Sequence, residues 1–279
     1  RNDGGPAPTY GSTPGGAVNL FRPLERIGLS PWGSLATRPR IDPDTYESNV
    51  RGLYVIGDLT EAPIIKMALK QGHQVGTRLA RELGASTDDE EALDVVIVGA
   101  GPSGIAAAEA LLAAGLRVAV FEKATPFATI HAFPKGKPIF AEPEDMDNPS
   151  ALWFDDAPKE ELAERWCAHL ARSDVPVHAP EAVQSVRREG DGFIVKTQVG
   201  ADGRDVRRPV APVPSDGSPE ARNTYRARRV IVAVGKRGSV RKLGIPGEDL
   251  PKVQHHLDDP AAFEGRRVLV VGGGDSAVE

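Results

Sequence analysis

The sequence predicts an α/β fold, and three observations carry that expectation. Two short apolar runs, Val95–Val98 and Val268–Val271, each lead straight into a glycine-rich turn. The first turn, Gly99-Ala100-Gly101-Pro102-Ser103-Gly104, opens onto the alanine-rich stretch Ile105 to Ala114. A further apolar run, Val118 to Phe121, follows that stretch and closes on Glu122. Short apolar runs alternating with helical stretches read as parallel strands with crossover helices.

Taken in chain order, residues 1–18 are rich in Gly, Pro and Ala without periodicity and read as loop. Residues 19–52 carry short elements and turns. Leu53 to Ile56 reads as a short buried strand ending at Gly57-Asp58. Pro63 to Leu83 reads as a helix, because Ile64, Met67, Ala68, Val75, Leu79 and Leu83 recur near helical spacing. Gly84 is a helix stop, and GASTDDEE is a polar acidic linker. A strand–turn–helix–strand unit spans Asp94 to Glu122. The proline-rich stretch from Thr125 to Ser150 reads as irregular, Lys159 to Ala171 as a helix, and Phe193 to Thr197 as an alternating strand. Residues 199–224 read as an exposed excursion, and Arg229 to Val234 as a buried strand. A connector rich in Pro, His and Asp, residues 243–266, leads to the second glycine turn.

Composition bounds the function classes. The 279 residues are 40% apolar and 26% charged, which is ordinary for a globular protein. A net charge of −5 argues against nucleic acid. The single cysteine, Cys167, excludes an intrachain disulfide framework and an all-cysteine metal site. No apolar run approaches the ~20 residues that span a bilayer. The start at Arg1 shows no signal peptide, so a cytoplasmic location is the expectation. Glu279 falls in the first turn of an expected helix, so the expectation is a segment of something larger or a truncated gene product.

The glycine turns carry the chemistry. Gly99 permits the tight turn out of the strand, Gly101 lets backbone approach a pyrophosphate, and Gly104 lets the helix pack close to the sheet. The helix start, with Pro102 and Ser103, offers N–H groups to phosphate. Glu122, eighteen residues after Gly104, is placed to accept both hydroxyls of an adenosine ribose, with Lys123 beside it. The second turn is Gly272-Gly273-Gly274-Asp275-Ser276-Ala277, with Gly272, Gly274, Asp275, Ser276 and Ala277 as candidate contacts to a second dinucleotide.

The string VVIVGAGPSGIAAAEALLAAGLRVAVFEK resembles the FAD-binding start of the pyridine-nucleotide-disulfide-reductase superfamily. VIVAVG, Val230 to Gly235, resembles that family's Ala-Thr-Gly strand, which brings Ala233 and Gly235 to the cofactor. YESNVRGLYVIGD, Tyr46 to Asp58, resembles its second FAD motif. The resemblance implies that Gly57 leaves room for the cofactor and Asp58 approaches the ribityl chain. It also implies that Lys66-Met67-Ala68 begins a helix whose N–H groups, at Met67 and Ala68, face the flavin pyrimidine. The second glycine turn is similar to the family's NAD(P)H-binding motif. Thioredoxin-reductase-like members carry a Cys-x-x-Cys, and both positions used for it lack cysteine here. Residues Gly244 to Val253 resemble the dithiol-less branch, the bacillithiol-disulfide-reductase-like and ferredoxin–NADP-reductase-like flavoproteins.

The resemblance implies a Rossmann-like FAD-binding domain with a three-layer parallel sheet and a β-meander, plus an incomplete NAD(P)-binding Rossmann domain. The expected division is 1–86 for the second FAD motif, 87–93 for an acidic linker, 94–250 for the FAD domain and 251–279 for the start of the nucleotide domain. The order departs from the family, because the second FAD motif precedes the first. Either the chain spans a junction of tandem modules, or residues 53–83 fold back onto 94–123 in one domain. A linker of eight residues reaches ~26 Å, enough for the second arrangement.

The function implied is an FAD-dependent oxidoreductase that passes electrons from NAD(P)H to an external acceptor, a small redox compound or an electron-carrier protein. Neither nucleic acid nor membrane is an expected partner, and a homodimer is left open. The cofactors implied are FAD and NAD(P)H, with no metal and no catalytic side chain. Cys167 reads as buried filler in a helix. His131 has two readings, solvent or the isoalloxazine. His255-His256 read as a solvated connector, and Lys135 and Lys137 as surface charges. Two alternatives are a flavin-dependent monooxygenase, whose Phe-x-Gly-x-x-x-His string is not matched around Gly247, and a non-catalytic flavin- or nucleotide-binding module.

Overall fold

The computed structural model describes residues 39–60, 62, 64–84, 92–200, 222–236 and 243–272. Its frame is one seven-stranded mixed sheet. Strands β1 (Leu53–Val55), β2 (Ala92–Val98), β3 (Val118–Phe121) and β6 (Val177–His178) run parallel with β9 (Arg222–Val232). Strands β7 (Glu181–Glu189) and β8 (Gly192–Val199) are antiparallel to each other, and β8 is antiparallel to β9. A small separate ladder joins β4 (Pro138–Ile139) to β5 (Ala157–Pro158).

Strand β9 joins the parallel strands to the antiparallel pair β7 and β8 in one sheet. It is 11 residues long. Its first half pairs with β8 through Arg222–Ala227, and its last three residues pair with β1. Its other edge pairs with β2 along Arg226–Val232. The strand therefore starts seven residues earlier than Arg229, where the apolar run begins, because Asn223, Tyr225 and Ala227 alternate inward. Strand β7 was not expected at all, since EAVQSVRRE carries only two inward valines among charges.

The two faces of the sheet are covered differently. Alternate strand residues Val95, Ile97, Val118, Val120 and Ile231 pack with helices α1 (Ile65–Leu83), α2 (Pro102–Ala113) and α4 (Lys159–Arg172). The short helix α3 (Ala128–His131) adds Ile130 to this core. The opposite face, with Leu93, Val96, Ala119, Phe121 and Val230, packs only with strand residues such as Phe193, Val195 and Tyr225. Among the described residues, helices thus cover one face. The stretch Thr125–Ser150, expected to be irregular, holds α3 and β4.

Residues 53–83 lie in the same body as 94–123. Besides the β1–β9 ladder, α1 crosses α2 at very close range. A Cβ at Gly72 would stand 2.1 Å from the Ser103 carbonyl oxygen, and one at Gly76 would stand 2.6 Å from that of Ala107. Only glycine permits that approach. At its far end, α1 is tied to the start of β2. The Arg228 guanidinium donates to the fully buried Asp94 at 2.9 Å and to the Leu83 carbonyl at 3.3 Å. The end of α1 and the beginning of β2 are therefore neighbours, which a short connection can join.

Two other expectations change. The run Val268–Val271 forms no strand; its side chains are 54–87% exposed. A strand needs a neighbour to satisfy its backbone, and no described residue pairs with it. Cys167 is exposed on α4 rather than buried, because α4 turns Leu162, Ala163 and Trp166 inward instead.

Candidate functional site

The parallel strands end together. Val55 is in register with Val232, Val232 with Val98, Val98 with Phe121, and Phe121 with His178. The chain leaves this row at Gly57, Ala233, Gly99 and Glu122, so four candidate residues from distant stretches share one sheet edge. Ligands of open α/β sheets bind in the crevice outside the carboxyl ends of the strands.

Each glycine at this edge does a different job. Gly99 has φ +105°, and a Cβ there would stand 2.4 Å from the Ala233 carbonyl oxygen. A Cβ at Gly104 would stand 2.1 Å from the Gly99 carbonyl oxygen, so α2 packs directly on the turn. Gly101 is the contrast, since a Cβ there would meet nothing within 4 Å. It caps α2 with no side chain, and Pro102 occupies the first turn. The N–H groups of Ser103 and Gly104 thus begin an uncapped helix beside open space, with the positive dipole end outward.

Glu122 is buried at the same edge. Its Oε2 accepts from the Ala100 N–H and its Oε1 from the Ala124 N–H, both at 3.0 Å. These bonds fix the carboxylate beside the turn and leave lone pairs on both oxygens. Lys123, next in the chain, is exposed. The Glu122 backbone is held by the His178 carbonyl and by the Glu181 N–H, at 2.9 and 2.7 Å. Glu181 is a buried hub that receives Thr197, Asn223 at 3.0 Å and the Tyr225 hydroxyl at 3.4 Å.

The Gly57–Thr60 turn closes the edge on the β1 side. Gly57, at φ +77°, approaches Ser103 so closely that a Cβ would stand 2.6 Å from its Oγ. Gln71 from α1 accepts the Gly57 N–H at 2.7 Å and donates to Thr60 at 2.8 Å. Sequence reasoning missed Gln71, although a glutamine inside an apolar helical stripe is a usable signal. Asp58 pairs with Lys236 at 3.4 Å, with both side chains about half exposed. Met67 and Ala68 stand in the first turn of α1, which starts at Ile65 rather than Pro63.

Among the described residues, His131, Cys167, His255 and His256 do not join this edge. Gly272 is described, with φ +133°, while Gly274, Asp275, Ser276 and Ala277 lie outside the described residues. His131 Nε2 stands 3.6 Å from Cys167 Sγ across α3 and α4. Partial burial pushes the Cys167 thiol above its ordinary range. That pair lines a shallow surface cavity of about 340 Å³ with Lys159 and Glu164, and no glycine-turn residue reaches it. His255 and His256 are exposed, as is Lys135. No group of three metal-ligating side chains occurs among the described residues. Nor is any described helix long and apolar enough to cross a membrane.

The chain is 33% identical over 186 residues to a ferredoxin–NADP reductase of Ignicoccus hospitalis, covering 67% of this chain and 50% of that one. It is 30% identical over 195 residues to a thioredoxin reductase of Bacillus subtilis, covering 68% and 50%. Among solved structures, the bacillithiol disulfide reductase Bdr (YpdA) of Bacillus cereus matches at 27% identity and a TM-score of 0.54, over 67% of this chain and 53% of that one. The chain spans about half the length of the curated relatives it matches. The family profile described as pyridine nucleotide-disulphide oxidoreductase matches residues 93–279, so residues 53–83 stand outside the match. With a matched span of well over half its length, the chain belongs to the pyridine nucleotide-disulphide oxidoreductase family.

Proposed function

We propose that this chain is the FAD-holding part of an NAD(P)H-dependent oxidoreductase that delivers electrons to an external acceptor without a dithiol relay. The observation that carries the reading is the open space at Gly101 beside an uncapped helix start, with buried Glu122 on the same edge. A cradle that lacks a Cβ, N–H donors and a fixed carboxylate fit a diphosphate joined to a ribose.

In this reading the Ser103 and Gly104 N–H groups receive the diphosphate, and Ala100 backbone lines its path. Glu122 accepts the adenosine ribose hydroxyls. Gly57 and Asp58 face the ribityl chain, Met67 and Ala68 the pyrimidine end, and Ala233 and Gly235 close the cleft from β9. The nicotinamide cofactor falls to Gly272, Gly274, Asp275, Ser276 and Ala277. Bound FAD supplies the redox chemistry, and the chain positions it. No thiol takes part, since a relay needs two and the chain has only Cys167. The acceptor is a small redox compound or an electron-carrier protein.

Anaerobic rapid mixing of FAD-loaded protein with NADH and with NADPH tests this. Bleaching of the flavin band, reversed by an added acceptor, is expected, and Cys167→Ser is expected to change the rate less than twofold. A second reading is a non-catalytic flavin-binding module. Protein that binds FAD but is bleached by neither nucleotide would favour that module instead.

A further inference from the structure

A second buried carboxylate stands behind Glu122. Glu181 opens β7, and only 4% of it is exposed. A carboxylate held away from water is costly unless donors surround it. Here Oε1 receives the Thr197 hydroxyl from β8, and Asn223 at 3.0 Å and the Tyr225 hydroxyl at 3.4 Å from β9. Oε2 faces His178 Nδ1 of β6 at 3.6 Å. All four partners are themselves buried. One side chain thus ties three strands to the start of β7.

The same stretch holds the main chain of Glu122 from both sides. The Glu122 N–H donates to the His178 carbonyl at 2.9 Å, and the Glu181 N–H donates to the Glu122 carbonyl at 2.7 Å. Phe121, one residue earlier, stacks on the His178 ring at 4.8 Å and leans on Tyr225 at 4.7 Å. The backbone at Glu122 therefore takes its place from residues 178–181, and the Glu181 side chain anchors those residues to β8 and β9. A carboxylate that must meet two hydroxyls at once works only when held to within about 0.5 Å by what lies behind it.

We propose that Glu181 is a positioning residue for the adenosine end of the cofactor. It does not touch FAD; it sets how well Glu122 meets the ribose. This rests on the reading that Glu122 accepts the ribose hydroxyls. The consequence is selective. Gly57 and Asp58 leave the sheet from β1, two strands beyond β2, and the bonds that hold their turn, from Gln71, involve none of Glu181's partners. Loosening Glu181 weakens a flavin that carries adenosine and spares one that does not.

The test is titration of the purified chain with FAD and with FMN. Glu181→Ala is expected to weaken FAD at least fivefold and FMN less than twofold. Glu181→Gln keeps an oxygen acceptor for the three donors and is expected to stay within twofold of wild type for both flavins. Because Glu181 acts through Glu122, adding Glu181→Ala to Glu122→Ala is expected to weaken FAD by less than a further twofold. Should Glu181→Ala fail to fold, Thr197→Val, which keeps the side-chain shape and removes one donor, is read in its place, with FAD at least threefold weaker and FMN within twofold. Unchanged FAD affinity, a loss shared equally by FMN, or a full loss that persists in the Glu122→Ala background would overturn the inference while leaving the FAD site standing. Wild-type protein that takes up no FAD would overturn both.

Discussion

At the scale of single residues, the three glycines of the first turn separate folding from binding. Gly99 and Gly104 are required by contacts within the protein, whereas the space above Gly101 is empty of protein atoms. Gly101 also has φ −80°, which any residue adopts. Gly101→Val is therefore expected to leave the thermal midpoint within about 2 °C of wild type. It should weaken FAD at least tenfold, about 1.4 kcal/mol. Thermal denaturation and flavin titration of one preparation check both halves, and unchanged FAD affinity would contradict the role given to Gly101. Tyr54 on β1 supplies a pH-dependent test. Burial, with Glu47 and Glu82 adding to it, pushes its phenol up to about 12. An unfolded tyrosine ionises near pH 10. Its contribution is thus complete below pH ~10 and is lost as pH rises through about 12. Wild type is expected to lose stability relative to Tyr54→Phe over that window, measured by denaturant titration at stepped pH.

At the scale of elements, the decisive contact is the crossing of α1 on α2. A Cβ at Gly76 would press on the Ala107 carbonyl at 2.6 Å and on the Ala110 Cβ at 2.9 Å. Gly76→Val is expected to cost about 2 kcal/mol or more by overpacking, read as a lowered urea midpoint. A surface helix of a separate module would show no such loss. This crossing also shows what was legible in the sequence. The strand–turn–helix–strand unit was readable because apolar runs, glycines and Glu122 follow one another locally. The helix from 65 to 83 was readable from its apolar spacing, within two residues at its start. Strand β7 was not, because its residues are mostly charged and it is held by pairing with β8 rather than by burial. The early start of β9 was hidden for the same reason, with arginines alternating against Asn223, Tyr225 and Ala227. Val268–Val271 misled in the opposite direction, since apolar content alone makes no strand without a partner.

At the scale of the whole molecule, the candidate site is assembled from chain stretches that sit in an unusual order. The turn at Gly57 comes from before the matched family span, and Gly99, Glu122 and Ala233 come from within it. The common register of Val55, Val232, Val98 and Phe121 places all four exits on one edge. Sequence motifs named these residues singly. Their convergence depends on β9 pairing with β1 on one side and β2 on the other, which no local pattern reports. Residues that support the edge from behind are joined to it only by the fold: Gln71 reaches back to Gly57 and Thr60, and Glu181 receives Thr197 and Asn223.

The most direct test of the central claim, that this edge holds FAD, is a calorimetric titration of the purified chain with FAD and, separately, with FMN. FMN lacks the adenosine that Glu122 and the start of α2 are placed to hold. One FAD per chain is expected, bound at least tenfold more tightly than FMN. Absence of FAD binding, or equal affinity for the two flavins, would contradict the claim.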